Sequence, residues 1–108
     1  MSLSTHVLDA TTGRPAEGVA VRVEERVDGQ WRPAGEGRTD ADGRIGALAD
    51  PQEGVHRLRF DTGAYFAAAG GATFYPEVTI TFTVVDATAH HHVPLLLSPF
   101  AYSTYRGS

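Results

Sequence analysis

The sequence predicts an all-β fold, an antiparallel β-sandwich carrying one short helix. Three observations lead there. Apolar and polar residues alternate at a period of two in most hydrophobic stretches, most cleanly where Val78, Ile80, Phe82 and Val84 are interleaved with Thr79, Thr81 and Thr83. Turn signals rich in Gly, Asp and Pro separate these stretches at short intervals. Only one segment, about residues 62–70, favours a helix, because Ala67-Ala68-Ala69 has high helix propensity and Gly70-Gly71 supplies a stop.

The elements follow in order. Leu3 to Leu8 alternates, with Leu3, Thr5 and Val7 on one face and Ser4, His6 and Leu8 on the other, and ends in a turn through Gly13-Arg14-Pro15. Val19 to Val27 is a second strand, and Asp28-Gly29 turns it into a third from Gln30 to about Arg38, a hairpin signal. Thr39-Asp40-Ala41-Asp42-Gly43-Arg44 is an acidic turn that lacks calcium-loop spacing and a closing glutamate. Ile45 to Leu48 and Val55 to Asp61 are short strands, the second with His56, Leu58 and Phe60 on one face. After the helix, Thr73-Phe74-Tyr75-Pro76 reads as a packed strand entry; strands follow at Glu77–Val85, His90–Leu97 and Ala101–Tyr105. The 108 residues are expected to form one domain, 1–108, with no internal repeat or linker.

Composition excludes several classes of function. The net charge is −4 and all nine basic residues are scattered arginines, so no basic face is available for nucleic acid. Without cysteine there is no disulfide framework, thiol nucleophile or thiolate zinc site. No membrane-length apolar run and no leader-like start are present, so a soluble, cytoplasmic protein with no membrane partner is expected.

Chemistry concentrates in residues 90–108. The triplet His90-His91-His92 is followed by Tyr102-Ser103-Thr104-Tyr105 and Arg106-Gly107-Ser108, which add phenols, hydroxyls, a guanidinium and a carboxylate to a segment that usually carries little. If Val93, Leu95 and Leu97 point into the sandwich, His92, Leu96 and Ser98 point out, with His90 on the same outer face. By the same parity His6 and Leu8 point outward. Both histidines then stand on outer faces, where a partner subunit is the natural supplier of a groove wall.

Thr5-His6-Val7-Leu8-Asp9, Gly13-Arg14-Pro15-Ala16, Asp42-Gly43-Arg44, His90-His91-His92-Val93-Pro94-Leu95-Leu96-Leu97-Ser98-Pro99 and the terminal Tyr102-Ser103-Thr104-Tyr105-Arg106-Gly107-Ser108 together resemble the 5-hydroxyisourate hydrolase family, transthyretin-related enzymes of purine catabolism. The resemblance spans essentially the whole chain, and its Tyr-Arg-Gly-Ser terminus separates the hydrolases from the thyroid-hormone carriers of the same fold. It implies a transthyretin-like sandwich assembled as a homotetramer, with sites at the dimer–dimer interface. It also implies hydrolysis of 5-hydroxyisourate to 2-oxo-4-hydroxy-4-carboxy-5-ureidoimidazoline without metal or organic cofactor. Carried over by position, it points to His6, His92 and Ser108 as catalytic groups and to Arg44, Tyr105, Arg106 and Gly107 as substrate-binding ones. The residue types suit the reaction. An imidazole can take a proton from water near neutral pH and return it to a leaving nitrogen, and guanidinium groups hold anionic oxygens. The expectation favours His6 as the group that activates water and His92 as a substrate ligand.

Plainer roles stand beside these. His56 reads as a surface or satisfied structural residue, His90 and His91 as solvent-facing or structural, Arg44 taken alone as a turn-end charge, and Tyr102 as a core or corner tyrosine. Two rival functions are a zinc site built from His6, His90 and His92, and a small-ligand carrier without turnover. No nearby carboxylate at suitable spacing supports the first, and activity that survived chelation would exclude it; the intact tail argues against the second.

Overall fold

The computed structural model describes residues 2–108. Among these, the chain runs β1 (Leu3–Asp9), β2 (Arg14–Pro15), β3 (Ala20–Val27), β4 (Gln30–Arg38), β5 (Arg44–Ala49), β6 (Gly54–Phe60), α1 (Thr62–Ala68), β7 (Val78–Val84), β8 (His91–Ser98) and β9 (Ala101–Thr104). The all-β sandwich and its one helix are as expected, with the helix closing at Ala68 rather than residue 70. Two elements differ. Arg14-Pro15, read as turn, pairs with Leu8 and Asp9 as a two-residue strand. The segment 73–76 is loop, with Phe74 70% exposed.

Two sheets face each other. One has the order β2-β1-β8-β9 with β5 also paired to β1; the other has the order β4-β3-β6-β7. Every pair is antiparallel except β1 with β8, which is parallel from Leu3 opposite His91 to Asp9 opposite Leu97. Parallel neighbours need a long crossover, and here the second sheet, β5 and the helix lie between them in sequence. The other edge of β1 is shared: β5 takes Leu3 to His6 and β2 takes Leu8 and Asp9.

Parity places the core as the alternation requires. Leu3 and Val7 of β1, Val21 and Val23 of β3, Leu58 and Phe60 of β6, Val78 of β7, and Val93, Leu95 and Leu97 of β8 are buried between the sheets. Each such side chain contributes about 1.5–3 kcal/mol by leaving water. The helix starts where the Asp61 carboxylate accepts from the Ala64 N–H at 3.2 Å, and it packs Phe66 inward. Gly70, at φ +78°, supplies the left-handed residue after the helix end. The hydroxyl of Tyr65 donates to the buried Asp9 carboxylate at 2.7 Å, tying the helix to the end of β1.

Candidate active site

The parallel register of β1 and β8 sets Ser4 opposite His92, and the antiparallel register of β1 and β5 sets His6 opposite Arg44. Residues opposite one another share a face, so Ser4, His6, His92 and Arg44 all stand on the outer face of one sheet. Parity alone reaches the two histidines. Arg44 is pointed to by the resemblance and not by parity, because its position depends on a pairing between residues far apart in the chain.

The acidic turn fixes where Arg44 enters that face. Asp40 Oδ1 accepts from the backbone N–H groups of Asp42 (2.9 Å) and Arg44 (3.0 Å), and the Gly43 N–H returns to the Asp40 carbonyl at 2.9 Å. Gly43 is buried at φ +73°, and its carbonyl accepts from Val7 N–H at 2.7 Å. A side chain there would strike the Val7 carbonyl oxygen, so only glycine brings the turn close enough to β1. The Asp40 carboxylate thus shapes a turn that delivers an arginine.

A groove of about 240 Å³ lies on this face, lined by Ser4, Thr5, Arg44, Gly46, His90, His92 and Ser108. Ser4 is nearly buried, and its Oγ lies 2.7 Å from His92 Nδ1 and 3.0 Å from His90 Nε2. The two imidazoles stack at 6.5 Å between ring centres, inclined by 16°. His92 has its pKa held below the usual 6.5, chiefly by burial and then by the positive charges of Arg44, His6 and His90, so it stands as a neutral base at neutral pH.

The tail reaches the groove by continuing the β8–β9 ladder. That ladder runs from Ser98 opposite Ala101 to Leu95 opposite Thr104, and the bridge between His92 and Gly107 keeps the same register. The interruption falls at Pro94, which has no N–H to give. Gly107 N–H donates to the His92 carbonyl at 2.8 Å, and a Cβ on Gly107 would collide with Cδ2 of the His92 ring. Glycine is therefore what lets the backbone lie against the imidazole and brings Ser108 into the groove.

The chain divides the expected site residues between two hollows. Arg44, His92 and Ser108 line the groove, and His6 stands on the same face opposite Arg44. Tyr105 and Arg106 instead line a second cavity of about 230 Å³ with Ile80, Phe82, His91 and Val93, and His92 borders both. Sequence reasoning missed Ser4, for which a serine in an alternating strand gives no signal. Two histidines take the structural of the two roles read for them. His56 is 2% exposed, its Nδ1–H donating to the Gly54 carbonyl at 3.2 Å, and His91 is 5% exposed. Tyr102 is 42% exposed and packs edge-on against Tyr75. Among the described residues no three or more His, Cys, Asp or Glu side chains are grouped to hold a metal ion.

A β-sandwich with imidazoles, a guanidinium and a docked tail on one sheet face defines a site for proton transfer and anion binding. The chain belongs to the HIUase/Transthyretin family, whose sequence profile matches residues 3–107. It is 47% identical to the 5-hydroxyisourate hydrolase of Caulobacter vibrioides, over 98% of this chain and 97% of that protein. The structure of Klebsiella pneumoniae 5-hydroxyisourate hydrolase superposes with a TM-score of 0.82 at 41% identity, over 98% of this chain and 92% of the other. Sea bream transthyretin in complex with thyroxine superposes with a TM-score of 0.94 at 36% identity, over 99% of this chain and 95% of the other. Backbone shape favours the second structure and residue identity the first, so shape does not separate the two functions within this family.

Proposed function

We propose that residues 1–108 form a single 5-hydroxyisourate hydrolase domain that opens the cyclic amide of its substrate by attack of water, giving 2-oxo-4-hydroxy-4-carboxy-5-ureidoimidazoline in urate breakdown. The observation that carries this reading is the neutral imidazole of His92, held by Ser4, in one groove with Arg44 and Ser108.

The chemistry follows from those groups. The bare Nε2 of His92 takes a proton from water as the water oxygen bonds to the ring carbonyl carbon, and the same nitrogen later protonates the departing amide nitrogen. Arg44 holds the oxygen that gains negative charge, a task suited to a permanent cation with several donors. His6, opposite Arg44, adds a donor or acceptor for the ring's polar edge. The Ser108 carboxylate and the Gly107 backbone close one side of the groove. This division reverses the one expected from sequence: the orienting serine and the lowered pKa favour His92, not His6, as the base. Tyr105 and Arg106 contact substrate once a second subunit abuts the face.

The same reading includes a homotetramer with sites at the dimer–dimer interface. Arg44, His90 and Ser108 are exposed, leaving the groove shallow, and β7 and β9 are sheet edges that pair with no further strand among the described residues. A cytoplasmic setting and reaction without metal or cofactor belong to this proposal.

The test is spectroscopic: purified protein is added to freshly generated 5-hydroxyisourate and the decay followed, with and without a chelator. Acceleration that persists with chelator supports the reading; decay at the spontaneous rate defeats it. The likeness to the thyroxine complex gives a carrier reading some standing. Tight thyroxine binding without turnover would favour it.

A further inference from the structure

Resting on the reading of His92 as the base, we propose that His90, Ser4 and His92 form a proton relay joining the groove to bulk solvent, with Ser4 as the positioning residue that fixes the His92 tautomer. The geometry has an unusual economy. A serine hydroxyl has one proton to give and lone pairs to accept with, and Ser4 Oγ lies within hydrogen-bond distance of one nitrogen from each of two imidazoles. It can therefore donate to one ring while accepting from the other, and the relay uses that arrangement. When Ser4 accepts from His92 Nδ1–H it donates to His90 Nε2, and His92 presents a bare Nε2 to the groove. That is the tautomer a base requires.

The three groups also form a path with direction. Ser4 is nearly buried, so bulk water does not replace its partners, whereas His90 is exposed and exchanges protons freely. As His92 Nε2 takes a proton from the attacking water, Nδ1–H passes its proton to Ser4 Oγ, Ser4 passes its own to His90 Nε2, and His90 Nδ1–H releases one to solvent. Each group gains one proton and loses one, so charge leaves the groove without an imidazolium persisting beside Arg44 and His6. When His92 Nε2 then protonates the leaving nitrogen, His90 takes a proton from solvent at Nδ1 and every transfer runs backward, restoring the starting tautomers. Of the groups around His92, Arg44, His6 and His90 disfavour a lasting positive charge on it, and the Ser108 carboxylate in the same groove acts in the opposite sense. The strand pairing explains why the relay exists: the parallel register sets Ser4 opposite His92, and His90 lies two residues before it on the same face.

Two variants test this, each read by steady-state kinetics across pH and by nitrogen-15 NMR of the histidine rings. Ser4→Ala removes the hydroxyl; it is expected to lower kcat about 10- to 100-fold with little change in KM and to shift the His92 tautomer mixture toward Nε2–H. His90→Gln keeps a hydrogen-bonding group near the Nε2 position but cannot carry a proton onward. It should leave the His92 tautomer as in the wild type, lower kcat about 10-fold, and recover in part with added imidazole buffer. An unchanged His92 tautomer in Ser4→Ala, or a His90→Gln kcat within about twofold of wild type at every pH, overturns the relay. Should Ser4→Ala fail to fold, the His90→Gln arm decides. Wild-type protein without hydrolytic activity defeats the functional reading instead, while the Ser4→Ala spectra still decide the positioning role.

Discussion

Gly107→Ala is the most discriminating perturbation of the site, because it adds one methyl group where the tail backbone meets the His92 imidazole. The new Cβ would overlap His92 Cδ2 and lie 3.1 Å from Cγ and 3.3 Å from Cβ of the same residue. Two movements relieve the clash. The ring can turn, which breaks its 2.7 Å hydrogen bond to Ser4, or the tail can lift, which breaks the 2.8 Å bond from Gly107 N–H to the His92 carbonyl. Either loss costs about 0.5–1.5 kcal/mol. The tail is exposed around Gly107, so lifting meets less resistance than repacking the ring. The fold should then lose about 1 kcal/mol, a fall of about 4–8 °C in Tm for a domain of this size. Activity should suffer more, since a lifted tail takes Ser108 out of the groove and frees the imidazole. We expect kcat/KM for 5-hydroxyisourate to fall about 100-fold, equivalent to about 2.7 kcal/mol of transition-state stabilisation. Gly71→Ala is the matched control, with only the Phe66 carbonyl near its Cβ, at 3.8 Å. A Gly107→Ala enzyme with kcat/KM within about twofold of wild type and an unshifted Tm refutes the placement of the tail.

Other perturbations follow from the same contacts. The acid limb of kcat/KM should have its midpoint below 6.5, because the His92 pKa lies below that value, and Arg44→Met should move the limb upward by removing one of the charges that depress it. The same shift bears on stability. The unfolded chain binds the His92 proton more readily, so stability falls as pH drops through 6.5 toward the folded pKa and levels off below it; urea melts across pH measure this. Removing Tyr105 to Ser108 should cut turnover and lower Tm by about the same 4–8 °C, since the Gly107 bond to the His92 carbonyl goes with it, whereas extending the chain past Ser108 should cut turnover with the circular dichroism melt close to wild type. Tyr65→Phe strips the buried Asp9 carboxylate of its 2.7 Å donor and should cost about 1.5–3 kcal/mol in a thermal melt. The Tyr65 hydroxyl itself, pushed up to about 12 by burial and by Asp9, stabilises the fold fully below pH 10 and loses that contribution as pH rises toward 12.

The parts of the site legible in sequence are those set by parity within one strand. His6 and His92 stand on the outer face because Val7 and Val93 point inward, and no partner strand need be known to say so. What could not be read depends on pairing across the fold. Arg44 reaches the site through its register with His6, and Ser4 becomes part of it only because β8 lies parallel to β1. Arg14-Pro15 became a strand for the same reason, its two residues being held by Leu8 and Asp9 rather than by any propensity of their own. His91 shares the parity of Val93, so alternation already set it inside, but a histidine triplet reads as polar surface. Its backbone N–H donates to the Ser2 carbonyl at 2.6 Å at the start of β1.

The β1–β8 register is where fold and chemistry are least separable. A slip of one residue would set Thr5 or Leu3 opposite His92 and turn the Ser4 hydroxyl to the other face, breaking the link between the two imidazoles and at the same time turning Leu3 and Val7 out of the core. Several features hold the register. Thr5 Oγ1 donates to the Val93 carbonyl at 2.7 Å, and Leu3, Val7, Leu95 and Leu97 fill the interior in the same register. On the opposite edge of β8, Thr104 Oγ1 donates to the Pro94 carbonyl at 2.7 Å, bridging the point where proline leaves a gap in the ladder. The proline thereby ends regular pairing just short of the tail. It leaves Gly107 and Ser108 to be held by contact with His92 rather than by a continuous strand, so the imidazole and the tail position each other.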